Sequence, residues 1–174
     1  VGLSLDKIRN SVIDERRINP KLGVTWHPGP ETSLRVAAFR ASKRDLVTDQ
    51  TIEPTQVAGF NQYFDDLDGA DTRRYGFGFD KQFGSFFAGL ELTKRAVEIP
   101  VRRLSQTLWA DRTERLDRAY IHWIVGTNWA GTLEYHHEVT ERSRNHIFSD
   151  GIVELRTQRI PIALRYFDPH GLSW

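Results

Sequence analysis

Alternation with a period of two residues recurs along this chain and constrains its fold more than any other feature. From Arg74 to Phe83, Tyr75, Phe77, Phe79 and Phe83 fall on one side, with Lys81 the exception. Arg74, Gly76, Gly78, Asp80 and Gln82 fall on the other. The next run sets Phe86, Ala88, Leu90 and Leu92 against Phe87, Gly89, Glu91 and Thr93. Further on, Ala119, Ile121, Trp123 and Val125 alternate with Tyr120, His122, Ile124 and Gly126, and Leu133, Tyr135, His137 and Val139 with Glu134, His136 and Glu138. Nearer the start, Leu22, Val24 and Trp26 oppose Lys21, Gly23 and Thr25, and Leu34, Val36 and Ala38 oppose Ser33, Arg35 and Ala37. Successive side chains of a strand point to opposite faces, so each run predicts a strand whose faces meet different surroundings. No helical stripe of useful length competes. The chain reads as all-β.

The connections predict how the strands are joined. Short ones carry turn residues: His27-Pro28-Gly29-Pro30-Glu31, Gly84-Ser85, Asn128-Trp129-Ala130-Gly131 and Phe167-Asp168-Pro169-His170-Gly171. Long polar connections are expected over roughly 10–18, 42–72, 96–117 and 143–152. Long and short alternate along the chain, as in an antiparallel up-and-down meander with short turns at one end and long loops at the other. Strands of about nine to eleven residues suit tilted spans of a bilayer, and the combination matches a transmembrane β-barrel or part of one. Trp26, Phe83, Phe86 and Trp129 stand beside the short turns, where an interfacial aromatic girdle is expected. The count is about eight strands plus the start of a ninth at Gly171-Leu172-Ser173-Trp174. The expectation is a single β-barrel region over 1–174, a fragment of a longer barrel, with no separate plug or signal segment.

Composition removes other classes. Lys plus Arg number 24 and Asp plus Glu 23, leaving a net charge of +1, which argues against a general nucleic-acid binder. Ten Phe, five Tyr and five Trp are too many aromatics for a disordered chain. No apolar window approaches the length of a membrane helix, and mean hydropathy is −0.50. The absence of Cys rules out disulfide scaffolds, thiolate metal sites and Cys nucleophiles.

If the apolar faces meet lipid, Leu22, Val24, Trp26, Tyr75, Phe77, Phe79, Leu90, Ile121, Trp123 and Tyr135 are the lipid-facing residues. Arg35, Arg74, Asp80, Glu91, Glu134, Glu138 and Arg165 then face the lumen. Both signs of charge are present there, so strong anion or cation selectivity is not implied. Glycines on the polar faces (Gly76, Gly78, Gly89 and Gly126) suit a curved wall. The competing reading is a soluble β-sandwich or small barrel that binds carbohydrate or lipid through an inward face of Tyr75, Phe77, Phe79, Trp123 and Tyr135.

Two segments resemble known outer-membrane barrels. Asn19-Pro20-Lys21-Leu22-Gly23-Val24-Thr25-Trp26, a Pro-Gly turn, and Thr32-Ser33-Leu34-Arg35-Val36-Ala37-Ala38-Phe39-Arg40 resemble a hairpin of TonB-dependent receptor barrels. Gln50-Thr51-Ile52-Glu53-Pro54-Thr55-Gln56-Val57-Ala58-Gly59-Phe60-Asn61-Gln62 resembles a segment of barrels attached to tetratricopeptide-repeat proteins of Gram-negative bacteria. The later hairpin ending in Ile162-Ala163-Leu164-Arg165-Tyr166-Phe167 fits the same proteins. The resemblance implies the cell outer membrane, partners in membrane lipid and lipopolysaccharide, the remainder of the barrel, and a plug or repeat domain. It implies part of a pore or receptor for solute uptake or polymer export, or an anchor for a periplasmic domain. No plug or TonB box is recognisable within the chain.

No enzymatic role, cofactor or metal is expected. The residues nearest to a metal-ligand set are His122, His136 and Glu138, which share a face; a turn over Thr127–Thr132 would bring His122 opposite Glu138. Glu134 and Glu138 lie about 13 Å apart along a strand, too far for a glycosidase pair. Asp65, Asp66, Asp68 and Asp71 lack the twelfth-position Glu of a Ca²⁺-binding EF-hand. His146 and Asp150 near the loop end have no Ser partner for a rim hydrolase, and Tyr75-Gly76-Phe77-Gly78-Phe79 has no phosphate-loop Lys. Arg16-Arg17, Arg102-Arg103 and Arg142–Arg144 form charged clusters at the long-loop end, suited either to lipopolysaccharide phosphates or to a solvated rim.

Overall fold

A computed structural model of the chain describes residues 1–9, 14–43, 56–61, 69–103, 106–142 and 153–168. Among them every regular element is a strand. These are β1 (Gly2–Arg9), β2 (Asp14–Gly29), β3 (Thr32–Ser42), β4 (Gln56–Val57), β5 (Phe60–Asn61), β6 (Asp71–Phe83), β7 (Phe86–Arg103), β8 (Gln106–Val125), β9 (Trp129–Arg142), β10 (Glu154–Arg159) and β11 (Ile162–Tyr166).

One antiparallel meander holds all but the small pair β4–β5. Its order is β1-β2-β3-β6-β7-β8-β9, with β10 and β11 both on the far side of β9. β10 and β11 keep a single register against β9, from Glu154↔Glu141 to Tyr166↔Trp129, broken only at Ile160-Pro161. Proline lacks the N–H that would continue the ladder there. Eight strand positions result. The expected start of a ninth, 171–174, lies outside the described residues, as do Asp65, Asp66, Asp68, Arg144, His146 and Asp150. Among the described residues the sheet is open, with β1 at one edge and β10–β11 at the other.

Two of the four expected long connections are strand instead. β1 and β2 pair as far as Arg9↔Asp14, and β7 and β8 as far as Arg103↔Gln106, so most of 10–18 and 96–117 is extended hairpin. Charge hid these strands, because the short alternation of Val97, Ile99 and Val101 on β7 is set among many charged residues and faces a largely charged stretch of β8. Ion pairs line these strands: Arg95–Glu114 at 2.6 Å and Arg73–Glu98 at 3.2 Å cross between neighbours, and Arg112–Glu114 at 2.7 Å runs along β8. Opposite charges on adjacent strands are a recognised source of sheet stability.

Most buried residues lie on one face, hereafter the inner face; near the top Ser42, Asp71 and Pro100 are buried in step with the outward residues. One cluster joins Ala37 and Phe39 of β3 to Val57 and Phe60 of the β4–β5 hairpin. The other joins Ala70 to Val97 and Ile99 of β7 and Ala110 of β8, with Val101 against it. Both clusters are small, and much of the inner face is polar. The sheet curls toward this face. Tyr120 of β8 bonds Asp80 of β6 across β7, and Arg35 of β3 reaches Glu91 of β7 at 3.6 Å across β6. Higher up, the guanidinium of Arg17 in β2 lies 5.2 Å from the ring of Trp109, which stands in step with the outward residues of β8.

Candidate functional site: the two faces of the sheet

The outer face carries the aromatic and aliphatic residues. Leu22, Val24, Trp26, Tyr75, Phe77, Leu90, Ile121, Trp123 and Tyr135 are exposed there, and Phe79 is half-buried among them; Tyr75 keeps 54% of its surface open. Among the described residues no second layer covers this face.

Strand registers turn these residues into a belt. Its uppermost apolar members, strand by strand, are Leu5, Ile18, Ala38, Tyr75, Leu92, Ala119, Tyr135 and Ile160. The next outward residue is polar on every strand: Lys7, Arg16, Arg40, Arg73, Lys94, Asp117, His137 and Gln158. Leu5 pairs with Ile18, but it is Leu22, four residues lower, that pairs with Ala38. Ala38 pairs with Tyr75, whereas Leu92 pairs with Phe77 and Ala119 with Leu90, each a further drop of two. Ala119 pairs with Tyr135, which stands level with Ile160. The border therefore drops eight residues over seven strand-to-strand steps. At about 3.3 Å per residue and 4.8 Å between strands, that slope tilts the strands by about 40° from the belt's normal. The lower border slopes the same way: Trp26 pairs with Leu34, which pairs with Phe79, four residues above Phe83. Phe83 then pairs with Phe86, Phe86 with Trp123, and Val125 with Trp129.

Aromatic residues mark both borders. Tyr75 and Tyr135 stand at the top; Trp26, Phe83, Phe86, Trp129 and Tyr166 stand at the bottom. Phe86 stacks on Trp123 with centroids 5.5 Å apart, and Trp129 lies 4.9 Å from Tyr166. Lys81, the one cation among the described residues of the lower belt, holds its ammonium 4.9 Å from the centre of the Phe83 ring.

Arg35, Arg74, Asp80, Glu91, Glu134, Glu138 and Arg165 all lie on the inner face, in step with Ala37, Gly76 and Gly78. Most are tied into pairs. Arg35 donates to Asp80 at 3.1 Å, and the Tyr120 hydroxyl donates to the same carboxylate. Arg118 donates to Glu134 at 2.8 Å, His136 sits 2.7 Å from the other Glu134 oxygen, and Arg118 also lies 4.8 Å from the Tyr120 ring. Glu138 accepts from Arg159. The result is a row of alternating charges across the sheet.

His122, His136 and Glu138 do not converge. β8 ends at Val125 and β9 starts at Trp129, so the turn is tighter than Thr127–Thr132 and the register shifts. His122 pairs with Thr132, its ring nitrogen 3.1 Å from the hydroxyl, His136 pairs with Arg118, and Glu138 with Leu116. Among the described residues no three potential ligands gather.

One inner-face feature falls where the sequence reads as polar loop. Residues Gln56–Asn61 form a minimal hairpin, with Val57↔Phe60 and both turn residues at positive φ, Ala58 at 49° and Gly59 at 84°. Such a pair of left-handed residues is the signature of the tightest hairpin turn. The hairpin lies on the inner face. Phe60 is 1% exposed, and a Cβ added to Gly76 would meet its ring at 2.6 Å; one added to Gly23 would meet Val57 at 2.6 Å. The Arg35 guanidinium lies 5.3 Å from the Phe60 ring, and Arg74 donates to the Asn61 carbonyl. Gly89 likewise leaves room for Tyr120. The inner glycines expected to ease curvature thus have a second reason, the close approach of inserted side chains. The apolar patch Val57-Ala58-Gly59-Phe60 inside a polar connection was the available signal for the hairpin.

No protein-family model matches this chain, and no match is found among curated proteins or solved structures.

Proposed function

We propose that this chain forms part of the wall of a β-barrel in a Gram-negative outer membrane, through which a solute or polymer passes or by which a periplasmic domain is held. The slanted belt carries the reading. A tilt of about 40° lies in the 35–45° range of transmembrane barrel strands. A soluble sandwich has no reason to keep eight strands apolar over one common slanted zone and polar above it. On β6 the belt runs from Tyr75 to Phe83, which at that tilt spans about 20 Å of depth, close to the apolar band of such barrels. Tyr and Trp at both borders suit the two water–lipid interfaces.

The free edge supports completion of the wall by further strands. The Val153 and Pro161 carbonyls and the Phe167 N–H all bond toward β9 or the residue before it. Pro161 therefore removes a donor from the paired side and leaves the outer edge of β10–β11 able to take another strand. Soluble proteins usually blunt such an edge, whereas in hydrocarbon every backbone group must pair. The paired charges of the inner face suit a wet lumen of mixed polarity. A β signal that forms only in micelles or vesicles, with heat-modifiable migration on a gel, is the expected result. A β-rich monomer in plain buffer overturns the reading and makes the aromatic face a binding surface.

A further inference from the structure

We infer that the hairpin Gln56–Asn61 is a resident constriction that sets the size limit of the lumen; this rests on the barrel reading above. Three features fix it to the wall. Its apolar side chains fit positions where the wall has no Cβ, Phe60 over Gly76 and Val57 over Gly23. Its last carbonyl accepts from Arg74, and the Arg35 guanidinium lies against Phe60 while pairing with Asp80 and Glu91. Removing the hairpin would expose Phe39 and leave these glycines facing water without function.

Its other side is open: Gln56 and Asn61 are exposed and stand on the lumen side of the wall. Whatever passes along the inner face meets a turn of backbone one residue layer thick, with a polar rim. The interior of an eight-stranded barrel is only wide enough for side chains. This inner face holds its own side chains and a length of backbone besides, so the barrel that encloses it has more than eight strands. Arg35 beside the hairpin is paired with Asp80 and Glu91, and Arg74 is turned to the Asn61 carbonyl, which makes the constriction a filter of size more than of charge.

Planar-bilayer recordings of the full-length protein test this. Phe60→Ala removes the ring from its cradle; unit conductance is expected to rise about two-fold, and larger neutral polymers to enter the pore. Gln56→Cys leaves the packing of the hairpin intact; residues 1–174 have no other Cys, and the unsubstituted full-length protein treated with the same reagent is the control. A bulky water-soluble thiol reagent is expected to cut its current by about half. Conductance unchanged in a heat-modifiable Phe60→Ala protein, with no response of Gln56→Cys to the reagent, overturns the constriction. Should Phe60→Ala fail to fold, the response of Gln56→Cys alone decides. No current from wild type or either variant, in protein that has inserted, overturns the pore itself.

Discussion

β7 can be compared with itself. From Phe86 to Leu92 its outward residues are apolar and exposed or half-buried, and its inward ones are Phe87, stacked on Tyr120, then Gly89 and the paired Glu91. From Lys94 to Val101 the pattern reverses: Lys94 is exposed, while Val97 and Ile99 are buried on the inner side. The same strand, with continuous hydrogen bonding to β8, changes its inside and outside at the belt's upper border. The lower half carries its apolar residues mostly outside, and the upper half places Val97 and Ile99 inside with Lys94 and Glu98 outside. Backbone pairing is common to both zones, so the surroundings of the side chains set the difference.

Substitutions can break or sharpen this contrast. Ile121→Arg, in the middle of the belt, is expected to cost about 2–4 kcal/mol of folding free energy in vesicles. Thr113→Arg, on the same face of the same strand but above the border, should leave the urea midpoint almost unchanged. Equal effects at the two positions would erase the distinction between zones.

Gly89→Ala probes the inner side of the lower zone. The new methyl would overlap the Tyr120 ring and the Asp80 carboxylate, and overpacking of this kind costs about 1–3 kcal/mol. Pairing it with Tyr120→Phe in a double-mutant cycle should show strong coupling, and additivity would argue that the two do not touch.

In the upper zone, Arg40→Ala leaves Asp71, only 2% exposed, without its two-pronged partner at 2.6–3.0 Å. Arg17 at 4.0 Å takes up part of the charge, so a loss of about 1–3 kcal/mol is expected in chemical unfolding. Arg73→Ala is the smallest effect. Its pair with Glu98 is about half exposed on both sides, and such pairs contribute about 0–1 kcal/mol. A loss larger than that of Arg40→Ala would overturn the ranking by burial.

Within the belt the fold was legible in the residues. Tyr75-Gly76-Phe77-Gly78-Phe79 alternates because one face is apolar and the other is not, and the strand follows. The same logic failed over 96–117, where Arg95 and Glu114 pair across the ladder and the short alternation Val97, Ile99, Val101 is hidden among charged residues. The tight turn at Gly126-Thr127-Asn128 was also missed, and with it the register that separates His122 from Glu138. Local composition could not choose between a short turn and one three residues longer.

What the sequence by itself determined is which residues share a face, because the two-residue repeat of a strand is a local property. It could not say which face turns inward, since an apolar stripe serves as core or as belt equally well. That was decided by curvature and by Phe60, whose ring lies over Gly76, 16 positions along the chain. The slope of the belt is likewise a property of the assembled sheet. It depends on seven registers at once, and each is set by the fit of neighbouring strands, which no single strand encodes.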